Sequence, residues 1–376
     1  MPDGPPALSL LPVLERVLAG RGPALLPVPA DDTRLTDLLT RALRADDVVD
    51  DDVAVVVSTS GTTGMPKGAL LSAAALRASA EATHQRLGGP GRWLLALPAH
   101  HIAGLQVLVR SVVAGWDPVA VSPSLDLAAL PAAVAAMGTG RRYASLVAVQ
   151  LGKAMADPAA AAALADLDAV LIGGGPMPRE MAESARAAGI SVVRTYGMSE
   201  TAGGCVYDGI ALDGVRVRVD PGGRIALGGV TVANGYRNPV DPDPFAEPGW
   251  YVTDDLGVLD GSGALRVLGR VDDAISTGGL TVFPALVEAA LATHAAVEDC
   301  AVFGLADERL GQRVAAAVVV APGRPPPSPA DLRDHVAHTL DPTAAPREVH
   351  IVAELPRRGI GKLDRKELAA RFWPQG

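Results

Sequence analysis

The sequence is poor in the features that mark most specialised protein classes. Aromatic residues make up 3% of its 376 positions, and there are only two cysteines. Cys205 and Cys300 stand far apart without metal-ligand spacing, so neither a disulfide framework nor a cysteine metal site is implied, and each is expected to be a small buried hydrophobe. No uninterrupted apolar run reaches the length of a membrane span. The opening residues, Met1-Pro2-Asp3-Gly4-Pro5-Pro6, lack the basic region of a signal peptide, so no membrane insertion and a cytoplasmic location are expected. There is no repeat at solenoid period. A net charge of −9 argues against a nucleic-acid partner, whereas a small anionic substrate answers to local charge. The scarcity of aromatics beside abundant alanine reads as compositional bias and carries no function.

What is present suffices for a large core. A hydrophobic content of 49% excludes wholesale disorder, and the length suits a large domain plus a smaller one. Ser72 is placed to cap an alanine-rich helix running toward Leu87, and Gly88-Gly89-Pro90 stops it. Strand-like and helix-like segments then alternate through Ala169-Val170-Leu171-Ile172, the rhythm of an α/β fold with mostly parallel strands. From Val215 the texture changes to short alternating strands with glycine turns, a β-rich subdomain. From about Val271 a last segment has the helix and strands of a compact α+β unit. The division expected is a large N-terminal domain, residues 1–270, and a small C-terminal domain, residues 271–376.

The stretch that organises the chain follows the apolar run Val53 to Val57: Ser58-Thr59-Ser60-Gly61-Thr62-Thr63-Gly64-Met65-Pro66-Lys67-Gly68. Small residues allow close backbone approach to an anion, hydroxyls and N–H groups supply donors, and Lys67 adds a point charge. These are the parts of a phosphate cradle. A Walker loop would need glycine at Pro66 and a hydroxyl residue at Gly68, and the sequence has neither.

Further segments follow in order: Pro98-Ala99-His100-His101-Ile102-Ala103-Gly104, Gly173-Gly174-Gly175-Pro176, Tyr196-Gly197-Met198-Ser199-Glu200-Thr201, Trp250 to Gly257, Gly269 to Gly279, and Leu355 to Arg365. Together with the cradle they resemble the adenylate-forming superfamily of acyl-CoA synthetases, luciferases and peptide-synthetase adenylation domains, N-terminally shortened. The resemblance implies that Ser58, Thr59, Ser60, Gly61, Thr62, Thr63, Gly64, Lys67 and Thr201 bind the ATP phosphates, and that Glu200 binds Mg²⁺. It further implies an adenine and acyl pocket made by Gly173, Gly174, Gly175, Pro176, Tyr196, Gly197, Met198 and Ser199, with His101 at the acyl wall. Asp255 would accept the ribose hydroxyls, with Arg270 over ribose or phosphate. Asp254 stands where the superfamily has glycine. Asp272 would be the interdomain hinge of a mobile C-terminal domain, Gly278 and Gly279 would approach the CoA pantetheine, and Lys362 would be the catalytic lysine.

The local wording around Arg141 to Val147, Arg194 to Gly209 and Leu355 to Lys362 resembles the short actinobacterial o-succinylbenzoate-CoA ligases of menaquinone biosynthesis. That resemblance implies ATP, Mg²⁺ and coenzyme A as cofactors or co-substrates and a small carboxylic acid as partner, with a homodimer left open. A second, non-reacting carboxylate on the acid calls for cationic or donor-rich surroundings; Arg142, Lys153 and Arg194 are the candidates. A ligase for another aryl or acyl acid, an adenylation protein loading a carrier protein, and a catalytically silent nucleotide-binding protein remain open at this point.

Overall fold

A computed structural model describes residues 1–59, 65–358 and 362–372, without the side chains of Arg358 and Lys362. Ser60, Gly61, Thr62, Thr63 and Gly64 of the expected cradle, and the Lys362 side chain, therefore lie outside the described residues.

Two helices, α1 (Leu11–Leu18) and α2 (Thr33–Ala42), precede β1 (Val53–Val57). A 3-10 turn at Pro5–Leu10 leads into α1. β1 pairs antiparallel with β2 (Ala69–Ser72) as a separate two-stranded sheet. The candidate phosphate segment thus connects the strands of a small sheet outside the main one. Next come α3 (Ala73–Arg86), capped by the Ser72 hydroxyl as expected, β3 (Arg92–Leu95), and α4 (Ile102–Ala114), which Gly115 ends in a left-handed conformation.

The chain continues through β4 (Val119–Ala120), α5 (Leu130–Ala136), β5 (Arg142–Val147), α6 (Ala148–Met155), α7 (Pro158–Ala165), β6 (Ala169–Gly173), α8 (Arg179–Ala187), β7 (Val192–Met198), β8 (Gly203–Tyr207) and β9 (Ile210–Ala211). These strands form a seven-stranded sheet in the order β4-β3-β5-β6-β7-β8-β9. It is parallel from β4 to β7 and antiparallel beyond. Its apolar runs are continuous because both faces are covered. Trp93 and Leu95 pack on one side with α3 and α4, while Leu94 and Ala96 pack on the other with α5 to α8.

A four-stranded antiparallel sheet follows: β10 (Val215–Val219), β11 (Arg224–Gly229), β12 (Trp250–Leu259) and β13 (Leu265–Arg270). Val215, Val217 and Val219 pack toward Cys205, Ile225 and Leu227. Burial pushes the Cys205 thiol up to about 12, the inert state expected of a buried hydrophobe.

The last unit comprises β14 (Ile275–Thr277), β15 (Leu280–Val282), α9 (Pro284–Leu291), β16 (Val297–Asp307), β17 (Gly311–Val320), α10 (Pro329–Ala337), β18 (Glu348–Ile351), the small hairpin β19 (Arg357–Arg358) and β20 (Lys362–Leu363), and α11 (Arg365–Phe372). One face of its five-stranded sheet packs on α9 and α10, the other on α11. Cys300 belongs to the first of these cores. Among the described residues no helix is long and apolar enough to cross a membrane.

Candidate active site

The parallel sheet delivers two of the expected segments to neighbouring positions, because β6 and β7 run side by side. β6 ends at Gly173, where a Cβ would come within 2.6 Å of Thr195 Oγ1 on β7. Gly174 then takes φ +81°, a conformation suited to glycine. β7 carries Tyr196, Gly197 and Met198 directly into the turn Ser199–Thr201. The fully buried Thr201 hydroxyl is engaged inside that turn, within 2.8 Å of the Gly203 carbonyl and accepting from the Met198 N–H. From below, Ser79 Oγ and Gln106 Nε2 both donate to the Ala202 carbonyl, at 2.9 and 2.8 Å. The turn is therefore fastened to α3 and α4.

This turn presents Glu200, which is buried, with Oε1 accepting a 2.5 Å hydrogen bond from the Tyr236 hydroxyl. Burial pushes its carboxyl above the usual range, while the Tyr236 bond and the charge of Lys67 draw it back down. The Lys67 ammonium lies 5.2 Å from the centre of the Tyr236 ring. The Thr59 hydroxyl is buried and has no hydrogen-bond partner among the described residues. A buried donor of that kind fits a phosphate oxygen.

Asp255 lies in the middle of β12, next to a register shift in its pairing with β13. Its N–H donates to Thr253 Oγ1, which itself donates to the Ile225 carbonyl. Its carboxylate receives the Tyr196 hydroxyl at 2.7 Å and lies 3.7 Å from Arg270. Burial raises its pKa, opposed by the Tyr196 bond and the Arg270 charge. Asp254 pairs with Arg224 at 2.6 Å and with Arg270 at 3.5 Å, which accommodates an acid where the superfamily has glycine. Arg270 also pairs with Asp272 at 2.8 Å. Burial disfavours its charge, yet Asp272, Asp255 and Asp254 together raise its pKa.

His101 occupies the N-cap position of α4, with its ring centre 4.2 Å from that of His100. Gly104 permits the close approach of this helix to the preceding strand end, since a Cβ there would lie 2.2 Å from the Pro98 carbonyl oxygen. Gly278 and Gly279, with φ +58° and +83°, form the two-residue connection between β14 and β15. Both central residues of such a tight turn need positive φ, so the glycine pair has a backbone reason independent of any ligand.

Lys362 pairs with Arg358 across the β19–β20 hairpin. The hairpin is anchored by Arg357, 2.6 Å from Asp299, and by Arg365, which makes two hydrogen bonds to Glu288 at 2.8 and 2.7 Å. Arg365 thus holds the lysine hairpin to its domain.

Two candidates for reading a second carboxylate are already engaged. Arg142 pairs with Asp166 at 2.9 Å at the start of β5, the opposite strand end from Gly173, and Arg194 pairs with Asp208 at 3.3 Å. Lys153 is exposed on α6. The residues that sequence reasoning missed are Tyr236, Asn238, Ser79 and Gln106. Asn234-Gly235-Tyr236-Arg237-Asn238 reads locally as a polar turn, and only long-range pairing gives it meaning.

The chain matches the family described as AMP-binding enzyme over residues 14–241 and the AMP-binding enzyme C-terminal domain over residues 286–362. It is 66% identical over 376 residues to a protein of Mycobacterium tuberculosis named probable 2-succinylbenzoate–CoA ligase, covering 99% of this chain and 97% of that one. Two solved structures of o-succinylbenzoate CoA synthetase from Bacillus subtilis are also similar. The one in complex with the acyl-adenylate intermediate OSB-AMP has 28% identity and TM-score 0.74, covering 88% of this chain and 73% of that one. The other, in complex with ATP and magnesium ion, has 29% identity and TM-score 0.73, covering 84% and 70%.

Proposed function

Since the chain belongs to the AMP-binding enzyme family, we propose that it ligates o-succinylbenzoate (2-succinylbenzoate) to coenzyme A, using ATP and forming an acyl-adenylate on the way. The observation that carries this reading is the 66% identity, across 99% of the chain, to a protein named for that activity. The reaction belongs to menaquinone biosynthesis, and its need for ATP and coenzyme A favours the cytoplasm as its location; a homodimer is the oligomeric state to test.

In the first half-reaction a carboxylate oxygen of the acid attacks the α-phosphorus of ATP, and the bond to pyrophosphate breaks. In the second, the CoA sulfur attacks the acyl carbon and AMP leaves. Ser58, Thr59, Ser60, Gly61, Thr62, Thr63, Gly64 and Lys67 are assigned to the phosphates, and Thr201 closes the turn beside them. Tyr196 with Gly173 to Pro176 flanks the adenine and acyl groups, His101 the acyl group, and Asp255 with Arg270 the ribose. Lys362 steadies the charge that develops between carboxylate and α-phosphate. Asp272 is the pivot between residues 1–270 and 271–376, whose rotation would replace Lys362 by the Gly278-Gly279 turn when CoA enters.

Among the described residues no cluster of three or more potential ligands is arranged to hold a metal. A magnesium ion carried on nucleotide phosphates needs only one or two protein carboxylates, and buried Glu200 fits that requirement. When bound, the ion offsets negative charge on the phosphates.

The test is a substrate panel of o-succinylbenzoate, benzoate, cinnamate and fatty acids with ATP, with and without CoA. Pyrophosphate release with o-succinylbenzoate before CoA is added is the expected result. Release with simple aryl or fatty acids and none with o-succinylbenzoate would overturn the substrate while sparing the chemistry.

A further inference from the structure

One short segment, residues 233–238, is bonded to both halves of the triphosphate site. Toward the metal turn, the Ala233 N–H donates to the Glu200 carbonyl at 2.9 Å. Toward the phosphate segment, Asn234 N–H donates to the Leu70 carbonyl at 2.9 Å, Arg237 N–H to Gly68 at 2.7 Å, and Asn238 N–H to Lys67 at 2.9 Å. The Asn238 side-chain amide adds a 2.8 Å bond to the Pro66 carbonyl. The backbone distance between Lys67 and Glu200 is therefore set by this segment.

Tyr236 stands at its centre. The side chain is 8% exposed, and its ring meets Phe245 edge-on with centres 5.1 Å apart. The hydroxyl donates to Glu200 Oε1, lies 3.2 Å from the Tyr251 hydroxyl, and the Lys67 ammonium lies beside the ring. A buried glutamate without such a donor would have both an uncompensated oxygen and free side-chain torsions. We propose that Tyr236 is the positioning residue of the metal carboxylate: its hydroxyl fixes Oε1 of Glu200 so that Oε2 meets the divalent cation, while its ring seats Lys67 at the neighbouring phosphates. This inference rests on the assignment of Glu200 to the metal made above.

The experiment measures Mn²⁺ binding by electron paramagnetic resonance in the presence of α,β-methylene-ATP. The proteins compared are the wild type, Tyr236→Phe, Tyr251→Phe, Glu200→Gln and the Tyr236→Phe/Glu200→Gln double variant, with melting temperatures recorded in parallel. Phenylalanine keeps the ring packing and removes only the donor. Tyr236→Phe should weaken Mn²⁺ binding about tenfold to a hundredfold, the usual effect of losing a hydrogen bond to a charged group. Tyr251→Phe should bind like the wild type, and Tyr236→Phe should cost nothing further once Glu200 is glutamine. Wild-type Mn²⁺ affinity in Tyr236→Phe, equal losses in the two tyrosine variants, or an undiminished loss in the Glu200→Gln background would each overturn the positioning role. Unchanged Mn²⁺ affinity in Glu200→Gln itself would instead overturn the metal assignment, and the positioning role with it.

Discussion

The Tyr196 hydroxyl donates to Oδ2 of Asp255 across 2.7 Å, joining the end of β7 to the middle of β12. The bond orients the acid proposed to accept the ribose before any nucleotide is present. It also keeps the phenol protonated, since burial and the Asp255 charge both push the Tyr196 pKa far upward.

The two residues should therefore differ in what their loss costs. Asp255→Asn removes the charged acceptor and should weaken ATP binding about tenfold or more, whereas Tyr196→Phe removes one donor and should weaken it about threefold to fivefold. Equilibrium binding of ATP to both variants checks this. A larger loss for Tyr196→Phe would mean that the phenol, and not Asp255, carries the ribose contact.

The second prediction separates the half-reactions. Lys362→Ala should lose formation of the acyl-adenylate while still converting supplied o-succinylbenzoyl-adenylate to the CoA thioester. Asp272→Pro should do the reverse, because proline fixes φ at the pivot and removes the carboxylate paired with Arg270. Single-turnover measurement of pyrophosphate release and of thioester formation reads both. Equal damage to both half-reactions by Lys362→Ala would assign the lysine a structural role.

The third concerns stability against pH. His84 is buried on α3 and accepts a 3.2 Å hydrogen bond from the Trp93 indole N–H through Nε2, which requires a neutral ring. Burial first, and then the nearby Arg110 charge, lower its pKa from 6.5 to about 4. Between those values the unfolded chain binds more protons at this site than the folded one, so stability falls as pH drops from 6.5 toward 4 and levels off below. His84→Gln keeps an acceptor without the titration and should flatten that slope. Urea midpoints at pH 7 and pH 4.5 test it, and the same slope in both proteins would exclude His84 as its source.

The local sequence determined most of the elements and the residue types of the site. Ser72 announced α3 because a hydroxyl cap acts within one turn, and the run at Ala169 announced a buried strand because both sheet faces exclude polar side chains. The motifs named Glu200, Asp255, Arg270 and Lys362 because each chemistry restricts its residue type and its neighbours in the chain. The tyrosines that hold Glu200 and Asp255 lie far away in sequence and left no local mark. That β1 pairs with β2 outside the main sheet, that Asp254 is balanced by Arg224 and Arg270, and that Arg142 and Arg194 are bound to aspartates were settled only by long-range packing. The same holds for Tyr236, 36 residues beyond Glu200. A hydrogen bond across that separation depends on where the fold places both ends, and no periodicity or spacing in the chain encodes it.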